Sequence, residues 1–484
     1  MSINSALSNA VSGLSASARS AEIVSSNVAN AGTEGYGRRE IQLAAANIGG
    51  RNTGVRVIGV ERIVNDQAIA DRRLADSELG YSDEKLAFLS RLETTLGTPD
   101  SEGSLSGRVV AFETSLLTAS ANPESTTRLA DVVASAKLVA DHLNYATDHV
   151  QSARQTADAE IGRAVDLINS TLTNVQTLNQ QIRTGLSKGN DISGLQDQRQ
   201  LELDTLSEYI PVREIQRDFG QVSLITSNGT LLLEGKAAQL EFTPSNTVTA
   251  DMTLASGALS DIDIVNSASS AGTSRDALAG GKLAALFDIR DETAVEVQSQ
   301  LDAVSRNLIE RFSDATVDPT LTPGAPGLFT DEGLAVDPLV EVGLAGRIEI
   351  NDAVNPDAGG DVWRVRDGIG AVVQGSAGDP EQLIAFADAL SRAELPASGS
   401  FTGARSVAGS FADVLSDVGF ARQQAQVRQS FAADQQFALY DLEQQAGVNT
   451  DDELQKLLLI EQSYAANAKI IETVDEMIQS LLRI

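Results

Sequence analysis

The chain has 484 residues, with 36 Lys plus Arg against 67 Asp plus Glu, so its net charge is −31; such a polyanion repels phosphate backbones and anionic lipid heads, which sets nucleic acid and membrane surfaces aside as partners. Cysteine is absent, which removes disulfides, thiolate metal sites, iron-sulfur clusters and cysteine nucleophiles together. Only two histidines and 4% aromatics stand beside 42% hydrophobic residues, so burial falls to Ala, Leu, Val and Ile, the palette of long packed helices.

From the N-terminus, Ile3, Leu7, Ala10, Leu14, Ser17, Ala21, Val24 and Val28 alternate fours and threes, which predicts a helix with one stripe able to wind against a partner. The stripe is thin, and a weakly apolar helix of this length does not persist alone. Arg19 is the one basic residue of the first thirty, so no charged region leads into an apolar stretch as a secretory signal requires. Residues 65–96 read as a helix through Ile69, Leu79, Leu86, Leu89, Leu92 and Leu96, stopped by Gly97-Thr98-Pro99. Leu105, Val109, Phe112 and Leu116 predict another, ended at Asn122-Pro123. Residues 129–182 keep helical spacing with only Gly162 to weaken it, which predicts a rod of roughly 80 Å. Leu195, Leu201, Leu206 and Tyr209 close this region before Pro211.

Composition then changes. Residues 222–226 and Leu231-Leu232-Leu233 flank Asn228-Gly229, a pair suited to a type I′ hairpin turn. A helix is read over 276–312, followed by a Pro- and Gly-rich stretch with Ile348-Glu349-Ile350 and the single Trp363, whose fold the pattern leaves open. Helix resumes near Phe411 with Val414, Val418, Ala421, Ala425, Ala432, Leu439 and Leu442 on one stripe. After the break at 446–449, Thr450-Asp451-Asp452-Glu453 fits a capping box. Behind it Leu454, Leu457, Tyr464, Ile471, Val474, Ile478 and Leu481 run to the chain end. Residues 1–75 hold eight arginines against six acids, and 443–484 eight acids against three bases, which points to the N-terminal arm docking on the C-terminus.

The fold class is therefore multidomain α+β. Terminal helices (1–45 with 446–484) form a coiled-coil tube domain, 46–211 with 276–312 and 405–445 a long-helix domain, 212–275 a β-rich domain, and 313–404 a second irregular or β insertion.

Enzyme templates fail residue by residue. Gly281-Lys282 looks like the end of a phosphate loop, but Asp276 and Leu283 stand where a glycine and a hydroxyl belong. Residues 103–107 carry Leu105 where a hydrolase nucleophile would sit. His142 and His149 are seven residues apart, about 10 Å in helical rise, too far to share a metal. No catalytic residue, metal site or cofactor is read. A secreted enzyme using carboxylates remains the alternative from another class, since 67 acids contain pairs that sequence cannot select.

Residues 25–39, from Ser25 through Asn27, Asn30, Gly35, Tyr36 and Arg38 to Arg39, resemble the N-terminal motif of flagellar rod, hook and hook-associated axial proteins. Residues 447–454 and 461–471 are similar to the C-terminal region of the hook-associated protein 1 branch of that family. Residues 195–206, the hairpin to Gly235, and 280–291 resemble its helix-to-β transition and returning helix, in the family's order. Gly37 stands where the family is expected to carry Ser or Thr, and 313–410 match nothing in it. The resemblance implies a structural protein, not an enzyme, that forms a junction ring between hook and filament; a hook or distal-rod protein is the rival within that class. It further implies export through the flagellar type III apparatus from a cytoplasmic chaperone-bound pool, with the chaperone on the C-terminal helix. The implied partners are further copies of the chain, the hook protein and a second junction protein on the filament side, and the implied location is the extracellular flagellum. On this reading Leu7, Leu14, Val24 and Val28 with Leu454, Leu457, Ile471, Ile478 and Leu481 form the assembly interface. Asn27, Asn30, Gly35, Tyr36 and Arg38 set the bend into the next domain.

Overall fold

The computed structural model describes residues 3–48, 51–265 and 275–482; the end of the expected β-rich domain, 266–274, lies outside them. Helix α1 (Ile3–Ala29) is followed by an antiparallel hairpin, β1 (Arg38–Ile48) and β2 (Arg51–Ile63). The hairpin lies along α1, with the Val55 amide donating to Ser12 Oγ at 3.1 Å. The sequence reading contained no strands here. Helix α2 (Asp66–Leu96) is capped by the Asn65 side chain, which accepts from Ala68 N at 3.1 Å. Helix α3 (Leu105–Ser120), the 62-residue α4 (Thr126–Ser187) and α5 (Ser193–Tyr209) follow as expected. At 1.5 Å per residue α4 is about 93 Å long, and its inward positions from Leu129 to Ile182 are buried at helical spacing.

Strands β3 (Val212–Gln216), β4 (Val222–Thr226), β5 (Leu231–Glu234) and β6 (Lys236–Ala237) form one antiparallel sheet in that order. A separate pair joins β7 (Gln239–Glu241) to β8 (Asp263–Val265). The β4–β5 turn is not type I′. Only Gly229 has positive φ, at 84°, and Thr226 N bonds Thr230 O across a three-residue loop. That is the pattern of a type I turn closed by a left-handed glycine, in which Asn228 keeps ordinary φ.

The helix read over 276–312 begins at Gly281 and runs on to Ser313 through a π-helical turn. Helix α6 (Gly281–Asp288) gives way to a π-helical turn, Ile289–Thr293, before α7 (Ala294–Ser313). Within the bulge the Arg290 carbonyl accepts from Arg154 Nε at 2.8 Å and its guanidinium donates to Asp158 at 2.6 Å, so a side-chain donor serves a carbonyl of the locally widened helix.

The insertion carries β9 (Phe329–Asp331), antiparallel to β10 (Ile348–Ile350), with the short helices α8 (Arg364–Asp367) and α9 (Glu381–Ser391). Its core is continuous with the long helices: Phe312 meets Phe112, Phe329 and Phe386 at ring-centroid distances of 5.9, 5.3 and 5.1 Å. The chain closes with α10 (Val407–Gln445), packed on α2, and α11 (Thr450–Leu482), packed on α1. Among the described residues no helix is long and apolar enough to cross a membrane.

One buried carboxylate fastens the insertion to α7. Asp302 accepts from Gly343 N and Ala345 N at 2.8 Å each and from Gln298 at 2.9 Å. Burial pushes its carboxyl up to about 6, against the opposing pull of those hydrogen bonds. An unfolded chain releases that proton near pH 3.9. The folded state thus binds the proton more tightly, and the stability this contributes is full below about pH 4 and is lost as pH rises through about 6. We expect Asp302→Asn to flatten this part of the pH dependence, measured as the difference between wild-type and variant urea midpoints across that window; an unchanged slope would count against the assignment.

Candidate functional site: the polar junction beneath the terminal helices

The last turn of α1 buries an asparagine. Asn27 is fully inaccessible, and all four of its hydrogen-bonding positions are used. Its Nδ2 donates to Arg39 O at 2.9 Å and to Glu453 Oε2 at 2.8 Å, while its Oδ1 accepts from Arg39 N at 2.9 Å and Tyr36 Oη at 3.0 Å. One side chain thereby joins the end of α1, the base of the hairpin and the start of α11. Asn30 bonds back to Ser26 O at 2.8 Å, and Gly35, at φ 74°, reverses the chain. Tyr36 lies beneath the Arg39 guanidinium at 4.8 Å, and Arg38 Nη1 reaches Glu453 Oε1 at 3.9 Å.

The capping box read at Thr450 is corrected. Asn449 is the cap, its Oδ1 accepting from Asp451 N at 3.0 Å and Asp452 N at 3.4 Å. Glu453 is buried, and its carboxylate turns to Asn27 and Lys456. A local role for this acid gives way because Asn27 offers a buried donor 426 residues away in sequence.

A second hub lies under the hairpin. Asp197 on α5 accepts from Gly37 N at 3.0 Å, Arg39 Nη2 at 3.0 Å and Arg62 Nε at 2.7 Å. Arg62 also bonds Gln200, which donates to Glu443 Oε1 at 2.8 Å near the end of α10. Glu443 pairs with Arg72, which reaches Asp76 at 2.6 Å and Asp204 at 2.8 Å. Burial opposes the Arg72 charge, but Asp204, Glu443 and Asp76 outweigh it and hold its pKa above the ordinary value. Gly37 explains its own departure from the expected Ser or Thr: a Cβ there would collide with the Arg62 side chain. In this chain Arg62 occupies the volume a hydroxyl side chain would take, and the hairpin is latched to α5 through that arginine.

The terminal stripes are placed unevenly. Val24 is buried, whereas Leu7, Leu14, Val28, Leu457, Ile471 and Ile478 are half-buried. Gly13 and Asn467 mark the close approach of α1 and α11, since a Cβ on Gly13 would lie 2.8 Å from Asn467 Nδ2. Leu454 and Leu481 are 50% and 61% exposed and lie off the α1 contact. Val474 is the buried member of the α11 stripe. A second α11 seam, Leu459, Ile470, Met477 and Leu481, is exposed; at 100° per residue it lies about a quarter turn from the inner one. Sequence reasoning missed Glu453 as a long-range partner and missed Asp197 and Arg62. The site's hydrogen bonds and ion pairs fix geometry, and among the described residues no metal-binding group of His, Cys, Asp and Glu is present.

Three segments match known families. Residues 89–326 match the flagellar hook-associated protein FlgK helical domain, 443–484 the flagellar basal body rod FlgEFG protein C-terminal family, and 7–36 the flagella basal body rod protein family. The chain is 25% identical over 502 positions to flagellar hook-associated protein 1 of Bacillus subtilis, covering 97% of this chain and 96% of that protein. It is 24% identical over 563 positions to the Escherichia coli protein of the same name, covering all of both. The flagellar hook junction protein FlgK from Burkholderia pseudomallei aligns with a TM-score of 0.45 at 22% identity, over 55% of this chain and 46% of that one.

Proposed function

We propose that this chain, which matches the FlgK helical domain over 89–326 and is similar along nearly its whole length to flagellar hook-associated protein 1 of two bacteria, is a structural component of the flagellar hook–filament junction and assembles there as a ring of identical copies joined through its terminal helices. What supports this most is α11. It carries two apolar seams, of which α1 packs on one, while the other stays 45–63% exposed among the described residues. A helix with two seams serves more than one partner helix. Leu7, Leu14, Val24 and Val28 face Leu457, Ile471 and Ile478 in the inner contact, and Leu481 with the outer seam turns to neighbouring copies. The proposed terminal unit comprises 1–45 and 446–484, with Asn27, Asn30, Gly35, Tyr36 and Arg38 setting its angle to the long helices.

The same reading takes in export through the flagellar type III apparatus, chaperone cover of α11 before export, and contacts to the hook protein below and a second junction protein above. An exposed leucine-rich helix needs such cover in the cytoplasm. We expect the double variant Ile470→Asp, Met477→Asp to fold with wild-type circular dichroism and to be absent from the hook tip in imaged flagella. Wild-type incorporation would refute assembly through this seam, and labelling along the whole hook would move the chain to the hook-protein reading.

A further inference from the structure

The chain passes between the terminal helices and the long helices at two short places. Residues 64–65 join β2 to α2, and 446–449 join α10 to α11. On the terminal side of both, α1, the hairpin and α11 are pinned to one another. Asn27 holds the Arg39 backbone and Glu453, Arg38 reaches Glu453, and Ser12 holds Val55. None of these bonds touches α2, α5 or α10.

Among the described residues, the hydrogen bonds that join this unit to the long helices end on one turn of α5. Gly37 N, Arg39 Nη2 and Arg62 Nε donate to Asp197 at 3.0, 3.0 and 2.7 Å, and Arg62 also donates to Gln200. Leu201, the next residue, sits under the crossing at Gly35, where a Cβ would lie 2.7 Å from its Cδ2. Residues 197, 200 and 201 stand at i, i+3 and i+4, so they share one helix face. That face is firmly seated, since Leu203 and Leu206 are buried where α5 packs on α2 and α4. The Asp197 side chain is 14% exposed, and its two arginine bonds are charge-assisted and less screened than those of an open surface pair.

The covalent connections restrain the unit far less. Ala446 N and Gly447 N bond back to Glu443 O and Gln444 O, the last turn of α10, and so hold nothing on the terminal side. Short segments at element ends are where hinge rotations are absorbed.

We propose that Asp197 is a latch. With Gln200 and Leu201 it fixes the angle at which α1, the hairpin and α11 stand on the long helices, and without it they swing as one body about 64–65 and 446–449. The inference rests on the reading above of α1 and α11 as the assembling unit, and it adds the residue that holds that unit in one orientation. Arg39 links the two levels, its backbone bound to Asn27 and its guanidinium to Asp197. Every copy in a closed ring makes the same contact. A unit free to swing loses orientations when it joins, whereas a latched unit has lost them beforehand.

The chain has no cysteine, so spin labels on introduced pairs read distances within the purified full-length chain. One pair spans the latch, Val11→Cys on α1 with Phe437→Cys on α10. The other stays within the terminal unit, Val11→Cys with Leu458→Cys on α11; all three positions are exposed. With Asp197→Ala the distance distribution of the spanning pair is expected to broaden about twofold, because three of the four bonds that end on α5 are lost. The internal pair is expected to keep its width. An unchanged spanning pair would overturn the latch, as would a spanning pair already equally broad in the wild type. Broadening of both pairs would overturn it too, by showing a unit that comes apart instead of swinging. These distances are read in a single chain and the α11 seam variants test the ring, so failure of the latch and failure of the ring reading are told apart.

Discussion

Replacing Asn27 by Ala is expected to release the terminal helices from the rest of the chain at a cost of about 3 kcal/mol, since several buried groups lose partners at ~1–3 kcal/mol each before relaxation. The stranded groups are the Arg39 amide and carbonyl and one oxygen of the buried Glu453 carboxylate, while the Tyr36 hydroxyl keeps Ser26 Oγ at 3.3 Å. Lys456 still holds the other Glu453 oxygen, which keeps the loss below that of a bare buried charge. Amide hydrogen exchange checks this: protection of α1 and the first turns of α11 is expected to fall by about two orders of magnitude, since 1.4 kcal/mol is tenfold, while α4 keeps its protection. Equal loss in both regions, or none, would show that Asn27 is not the tie. Asn27→Asp separates chemistry from shape. It retains the acceptor bonds but places a carboxylate where an amide donated to Glu453 at 2.8 Å, and two carboxylates so close hold a proton between them. Its deficit is expected to shrink as pH falls, a recovery the alanine variant cannot show.

The long helices were legible because their signal is local. Helix α4 carries apolar residues at helical spacing for its whole length with two glycines, Gly162 and Gly185, and nothing tertiary contradicts it. The β4–β5 hairpin was legible through Asn228-Gly229, although the turn type was not, because the preference of the pair allows both loop lengths. The first hairpin went unread for a physical reason. Its strands pair Leu43 with Val57 and Ala45 with Val55, but a bulge beside Leu43 interrupts the register and the alternation that would reveal a strand. The π turn at 289–293 was invisible because the partner of its Arg290, a buried Asp158 on α4, lies 132 residues away and leaves no local signal.

The candidate site divides the same way. Asn27 and Tyr36 were found through resemblance, while Glu453 was taken for a capping acid because its neighbours Thr450 and Asp451 make that local reading self-consistent. The α11 stripe shows how periodicity drifts. Leu454 and Leu481 are 27 residues apart, about 7.5 turns of an α-helix, so steps of three and four chosen to stay apolar had walked halfway round the cylinder. The seam on α1 instead runs through Glu453, Leu457, Ile471, Val474 and Ile478, beginning on a charged residue that no hydrophobic pattern selects. Asp197 lies in the family-like stretch 195–206, but its role was not legible there, because its donors come from Gly37 and the hairpin, 135 to 160 residues away.

The largest loss of global stability is expected from Arg290→Met. Arg290 and Asp158 are both fully inaccessible and meet at 2.6 Å. The guanidinium also bonds Asp291 at 2.8 Å and Ser260 O at 3.0 Å, and lies over the Phe287 and Phe242 rings at 4.9 and 5.7 Å. Burial opposes its charge, but the hydrogen bonds and charges of Asp291 and Asp158 prevail and raise its pKa. Methionine fills much of the aliphatic and ring-packing volume, so the loss is electrostatic: Asp158 keeps only the Ser245 amide, at 2.6 Å. Breaking a buried pair from one side costs about 3–5 kcal/mol, read as a lower urea midpoint of the cooperative unfolding transition. Adding Asp158→Asn, which removes the stranded charge and leaves an acceptor for Ser245, is expected to recover more than half of that loss. Strictly additive losses in the double-mutant cycle would mean that the two groups do not act as a pair.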